Sequence, residues 1–176
     1  GLDSCEVALY DITNPNNPIL VEEKKLDPNG NLYKYELELE KDYRLESARG
    51  KRWTYNGDEN DNILRGGAGN DTIDGKLGID TLYGDEGNDT FISSIGDGID
   101  TIYGGDDSDT IDYGTEANKI IVTLDGENQT RVNINGLDND FIQEIENIIS
   151  GSAADTIIGD ANDNTFFTNE GSDTLS

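Results

Sequence analysis

Carboxylates recur in this chain at a fixed interval. Read in frames of nine, residues 57–112 divide into GDENDNILR (57–65), GGAGNDTID (66–74), GKLGIDTLY (75–83), GDEGNDTFI (84–92), IGDGIDTIY (95–103) and GGDDSDTID (104–112), with Ser93 and Ser94 inserted. The sixth positions are Asn62, Asp71, Asp80, Asp89, Asp100 and Asp109. The frame returns as SGSAADTII (150–158), GDANDNTFF (159–167) and TNEGSDTLS (168–176), with Asp155, Asn164 and Asp173 at the sixth position. A carboxylate in a glycine-rich turn can do acid–base chemistry or hold a hard cation. The chain has no His, which removes a Ser-His-Asp triad and any His-ligated metal. It carries no G-x-S-x-G and no phosphate loop, so catalysis is not expected of it.

The elements that position these carboxylates follow from the rest of each unit. The first six residues are rich in Gly, which adopts positive φ without steric cost, and read as a turn. The last three read as a short strand whose middle residue points inward, because side chains alternate at period two. That middle residue is Leu64, Ile73, Leu82, Phe91, Ile102 and Ile111 in the first block, then Ile157, Phe166 and Leu175. One unit cannot bury its single apolar side chain alone, but stacked units bury a column of them. With two units per coil, units n and n+2 lie on the same side, and their turns stack. Each turn then offers backbone carbonyls and one carboxylate. Such a loose cage of hard oxygens suits Ca²⁺ better than Mg²⁺, and soft ligands for Zn or Cu are missing.

The charge agrees with a cation partner. Lys and Arg number 12 against 38 Asp and Glu, a formal charge of −26 in 176 residues. Nucleic acid and anionic membrane are poor partners on that balance, and no apolar run reaches membrane-spanning length. Like charges oppose compaction, so the chain is expected to be disordered without a counter-cation. The lone Cys5 forms no internal disulfide, so the staple must come from elsewhere. The sequence, starting at Gly1, reads as a segment of something larger.

These units resemble the RTX (repeats-in-toxin) nonapeptide G-G-x-G-x-D-x-U-x, a calcium-binding repeat. The resemblance implies an all-β fold, a right-handed parallel β-roll with several Ca²⁺ ions between stacked turns. It implies carboxylate ligands from Asp71, Asp80, Asp89, Asp100, Asp109, Asp155 and Asp173. Backbone ligands would come from Gly66, Gly67, Gly69, Gly75, Gly84, Gly87, Gly96, Gly98, Gly104 and Gly105. Asn62 and Asn164 depart from the pattern and offer only a neutral carbonyl oxygen, so their units should hold calcium more weakly or cap the stack. Ile95 stands where Gly is expected, and Asp107 replaces the second turn glycine of its unit.

The remaining segments lack the repeat. Residues 113–149 carry apolar alternation at IIVTL (120–124) and RVNIN (131–135), read as extra strands that continue or cap the roll, with an irregular surface excursion as the alternative. Residues 1–55 read as antiparallel strands at CEVALYD (5–11), NPILVEEKK (17–25), NLYKYELELE (31–40) and DYRLESAR (42–49), the last pairing with 31–40. Asp27-Pro28-Asn29-Gly30 supplies a turn. This piece resembles part of a small β-sandwich of the transthyretin-like or carboxypeptidase-regulatory type, and serves equally as a β cap on the first coil. Trp53 and Tyr55 are expected to pack on the open end of the roll, not to bind sugar. The expected organisation is therefore 1–55 cap or half-sandwich, 56–112 first block, 113–149 spacer and 150–176 second block.

The function expected is that of a secreted, extracellular, calcium-dependent folding module of a surface adhesin or S-layer protein. The alternative is the calcium-dependent folding and secretion module of an enzyme or toxin exported by type I secretion. Beyond calcium, neighbouring copies of the chain and cell-surface glycans stand as partners, with no nucleic acid and no membrane insertion.

Overall fold

The computed structural model describes residues 6–11, 19–25, 43–47, 52 and 54–176; among them all regular structure is β, with no helix. Strands β1 (Glu6–Asp11), β2 (Ile19–Lys25) and β3 (Tyr43–Ser47) form an antiparallel sheet in the order β2-β1-β3. The strands expected within 5–11, 17–25 and 42–49 are thus present, and β3 pairs with β1. The expected strand 31–40, the turn at 27–30 and Trp53 lie outside the described residues.

Two ladders form the roll, parallel throughout except at one strand of the second. One contains β4 (Thr54–Asn56), β6 (Thr72–Asp74), β8 (Thr90–Ile92), β10 (Thr110–Asp112), β14 (Asn147–Ser150) and β16 (Thr165–Thr168), adjacent in that order. The other contains β5 (Ile63–Ala68), β7 (Thr81–Glu86), β9 (Thr101–Asp106), β13 (Leu137–Gln143), β12 (Thr130–Ile134), β11 (Ile120–Thr123), β15 (Thr156–Ile158) and β17 (Thr174–Leu175). Eighth-position residues lie directly over one another: Leu64 over Leu82 over Ile102, and Ile73 over Phe91 over Ile111. The Ser93-Ser94 insertion lengthens one coil without shifting this register. The result is a parallel β-solenoid of the β-roll kind.

The register explains the core. Leu82, Ile102, Ile73, Phe91 and Ile111 are all fully buried, as are Ile148 and Ile157 further along. Tyr55 joins the same cluster at the end of the column, and its hydroxyl donates to the carbonyl of Gly66 at 2.9 Å. Each buried aliphatic or Phe side chain contributes about 1.5–3 kcal/mol, one per nine residues. Ordering those nine backbones costs about 1–2 kcal/mol each, so the column alone does not hold the roll.

Residues 113–149 join the two blocks into one stack. β13 continues the ladder parallel to β9, with Ile142 over Ile102. β12 then runs antiparallel to both β13 and β11, and β11 returns to parallel pairing with β15. Ile120, Val122, Val132 and Ile134 fill the core at this level. The spacer therefore consists of strands that continue the roll.

Candidate metal centre

The turns share one backbone path. In the five units from 66 to 112, the second and fourth residues are left-handed: Gly67 (91°) and Gly69 (128°), Lys76 (69°) and Gly78 (125°), Asp85 (74°) and Gly87 (120°), Gly96 (95°) and Gly98 (149°), Gly105 (112°) and Asp107 (79°). Asp107 keeps this geometry without being Gly, which Asp tolerates better than most residues. Stacking makes the fourth position tight. A β-carbon on Gly87 would collide with the carbonyl oxygen of Gly69, and one on Gly98 with that of Gly78. Turn carbonyls of one coil thus point at the α-carbons of the next. At the first position, a β-carbon on Gly66, Gly84 or Gly104 would meet the carbonyl of Gly84, Gly104 or Glu144 respectively, and in all four of Gly66, Gly75, Gly84 and Gly104 it would also meet the sixth-position carboxylate of its own unit.

The sixth-position carboxylates form a ladder along the roll. In the first block, Oδ1 of Asp80, Asp89, Asp100 and Asp109 accepts the backbone N–H of the sixth residue one coil back. Asp80 accepts from Asn62 at 2.7 Å, Asp89 from Asp71 at 2.6 Å, Asp100 from Asp80 at 2.8 Å and Asp109 from Asp89 at 2.8 Å. In the second block Asp173 accepts from Asp155 at 2.9 Å, and Asp155 from Ile120 at 2.8 Å. Asp71, Asp80, Asp89, Asp100, Asp109 and Asp155 are buried, and Asp173 is half-buried.

The other oxygen of these carboxylates is the chemically important one. Oδ2 of Asp80, Asp89, Asp109 and Asp155 is buried with no hydrogen-bond partner. A buried, unpaired carboxylate oxygen is costly unless a cation neutralises it. Burial accordingly pushes the carboxyl groups of Asp80 and Asp89 up to about 6, Asp100 to about 7 and Asp109 to about 8, with neighbouring carboxylates adding to the effect. Among the described residues no three acidic side chains converge on one point. What the stacked turns offer is carboxylate oxygen beside turn carbonyl oxygen, hard donors of a kind that fits Ca²⁺.

Asn62 and Asn164 stand at the same height but differ in what they bind. Oδ1 of each accepts the N–H of the second residue of its own turn, Asp58 at 2.9 Å and Asp160 at 2.9 Å.

Two ladder members escape a strict reading of the nonapeptide. Asp140 Oδ1 accepts the Asp100 N–H at 3.0 Å, and Glu146 Oε2 accepts the Asp109 N–H at 2.8 Å. The signals were weak ones: Asp140-Phe141-Ile142-Gln143 matches D-x-U-x, and Glu146 falls at the sixth position when the second frame is extended back over 141–149. Asp140 is fully buried, and its Oδ2 accepts Ser93 Oγ and Tyr113 OH, each at 2.6 Å, and Asn139 Nδ2 at 3.1 Å. Here protein donors stand where Oδ2 of Asp80, Asp89, Asp109 and Asp155 has none. Glu116 likewise closes the turn at Ile95, whose N–H it accepts at 2.9 Å. That bond ties down the unit whose first glycine is missing.

Comparison with known proteins agrees with this geometry. The RTX calcium-binding nonapeptide repeat matches in four copies, over residues 56–91, 66–99, 96–120 and 144–175, more than half of the chain. Two of the matched stretches reach beyond the strict repeats, to residue 120 and back to residue 144, where strands β11 and β14 continue the roll. No curated protein matches the chain. Stacked turns, a ladder of buried carboxylates and four matched repeat stretches lead to one conclusion: the chain belongs to the RTX calcium-binding nonapeptide repeat family.

Proposed function

We propose that the chain is a calcium-folded structural segment of a large secreted bacterial surface protein, of adhesin or S-layer type. Calcium binding and the β-roll belong to the family. In this reading the ions lie between stacked turns, held by Asp71, Asp80, Asp89, Asp100, Asp109, Asp155 and Asp173 with the carbonyls of the glycine turns. The observation that carries it is the buried Oδ2 of Asp80, Asp89, Asp109 and Asp155, each without a hydrogen bond. The antiparallel sheet of β1, β2 and β3 ahead of the array favours a surface protein over an exported enzyme. RTX repeats are typical of secreted bacterial proteins, which supports an extracellular setting.

Calorimetric titration tests the proposal. Calcium should bind with folding at about 10⁻⁴–10⁻³ M, the range of extracellular calcium modules. Magnesium at the same concentration should give little heat and little structure, because it dehydrates reluctantly and demands octahedral geometry. Equal binding of magnesium, or the absence of any calcium heat, would contradict it.

A further inference from the structure

The Asp turns and the Asn turns place an oxygen in the same spot and treat it differently. In Asp80, Asp89 and Asp109, Oδ2 lies against the first glycine of its own unit, respectively Gly75, Gly84 and Gly104, buried and without a partner. In units 57–65 and 159–167 that spot holds Oδ1 of Asn62 and Asn164, packed against Gly57 and Gly159. There the oxygen accepts the second-position N–H, at 2.9 Å in both turns. That position carries a left-handed φ at Lys76 and Asp85, but not at Asp58 or Asp160.

The rest of each Asn turn closes on its own side chains. Asp58 Oδ1 accepts the Asn60 N–H at 2.8 Å and Asn62 Nδ2 at 3.3 Å, and Asn60 Nδ2 donates to the same carboxylate at 3.1 Å. Asp160 Oδ1 accepts the Asn162 N–H at 2.8 Å and Asn164 Nδ2 at 3.1 Å, and Asn162 Nδ2 donates to its Oδ2 at 3.1 Å. The same network occurs twice, far apart in the chain, and both copies have the sequence G-D-x-N-D-N.

From this we infer that the G-D-x-N-D-N turns are calcium-independent closures, in which side-chain amides take the place that a cation takes at the Asp turns. The inference rests on the proposal that sixth-position Asp turns hold calcium. A carboxamide both donates and accepts, so it can satisfy the Asp58 or Asp160 carboxylate and the second-position N–H together. A carboxylate in its place would lose the donor and face another carboxylate at close range. Sixth-position Asn is therefore a different kind of turn, not a weakened ligand.

The two views predict opposite signs for one substitution. Asn164→Asp and Asn62→Asp, each made in the 176-residue chain, are titrated with calcium and followed by circular dichroism and calorimetry. If the turns are amide-closed, each variant raises the calcium midpoint, by about two- to three-fold. That is a tenfold loss in the folding constant spread over a few ions. If Asn is only a poor ligand, each variant lowers the midpoint and adds a bound ion, which overturns the inference. An unchanged midpoint in both variants overturns it too. The double swap Asp160→Asn with Asn164→Asp restores one amide and one carboxylate to the pair. It should recover the wild-type midpoint even if the single variant folds poorly, and failure to recover counts against the inference. A wild-type chain that ignores calcium would instead break the underlying proposal.

Discussion

Asp89→Ala is expected to raise the calcium concentration at half-folding roughly tenfold, far more than Asp173→Ala. Asp89 sits in the middle of its stack. Its Oδ1 takes the Asp71 N–H, its own N–H goes to Asp109, and its Oδ2 is buried and unpaired. Its turn lies between the turns of units 66–74 and 104–112, so its removal weakens two inter-turn sites. It also strands the buried Asp71 N–H, at a cost of about 1–3 kcal/mol. Asp173 is half-buried and makes one ladder bond, to Asp155. Its loss should move the midpoint about two-fold, an effect at one site. Asp89→Asn separates charge from hydrogen bonding, because the amide oxygen can still accept from Asp71. A midpoint close to wild type in Asp89→Asn would mean that the carboxylate charge is not what calcium needs. The titration is read by circular dichroism, and an equal or reversed order of Asp89→Ala and Asp173→Ala would contradict the site assignment.

Acid should partly replace calcium. Carboxyl groups at about 6 for Asp80 and Asp89, about 7 for Asp100 and about 8 for Asp109 lie above the ordinary aspartate value near 3.9 of an unfolded chain. Between about pH 4 and pH 8 the metal-free roll therefore binds more protons than the unfolded chain. Its stability falls as pH rises through this window and grows as pH falls. Chelated protein unfolded at pH 8 should gain β structure on acidification, with the gain complete near pH 4. With calcium present the sign reverses, because protons compete for the same oxygens, and the calcium midpoint should rise as pH falls from 8 to about 5. Dichroism across a pH series, with and without chelator, checks both halves. A chelated chain that loses structure on acidification would show that these carboxylates are not buried as described.

Much of this architecture was legible in the residues. The eighth-position apolar column needs only the alternation of a strand and the nine-residue period, and Ile73, Phe91 and Ile111 stack as that reading requires. The Asp107 departure was also visible, though not its outcome: it keeps a left-handed φ of 79° without Gly. Other features depend on geometry that no linear pattern carries. The antiparallel insertion of β12 between β11 and β13 is a choice of pairing, and strands at 120–124 and 131–135 are compatible with several. Asp140 joins the ladder from 40 residues beyond Asp100, and its hydroxyl partners come from Ser93 and Tyr113. A scan for nonapeptides passes over all three. The Asn turns show the same limit. That Oδ1 of Asn62 and Asn164 accepts the second-position N–H of its own turn is not readable from the residue type.

The most direct test of the account is the far-ultraviolet dichroism of the chain in excess chelator at neutral pH and physiological salt, followed by addition of calcium. One apolar side chain per nonapeptide does not offset the ordering of nine residues, and a formal charge of −26 opposes compaction. The chelated chain should lack most of its β signal and recover it cooperatively on addition of millimolar calcium. A chelated chain that keeps its full β signal would show that calcium decorates a roll already folded, and would contradict the account at its centre.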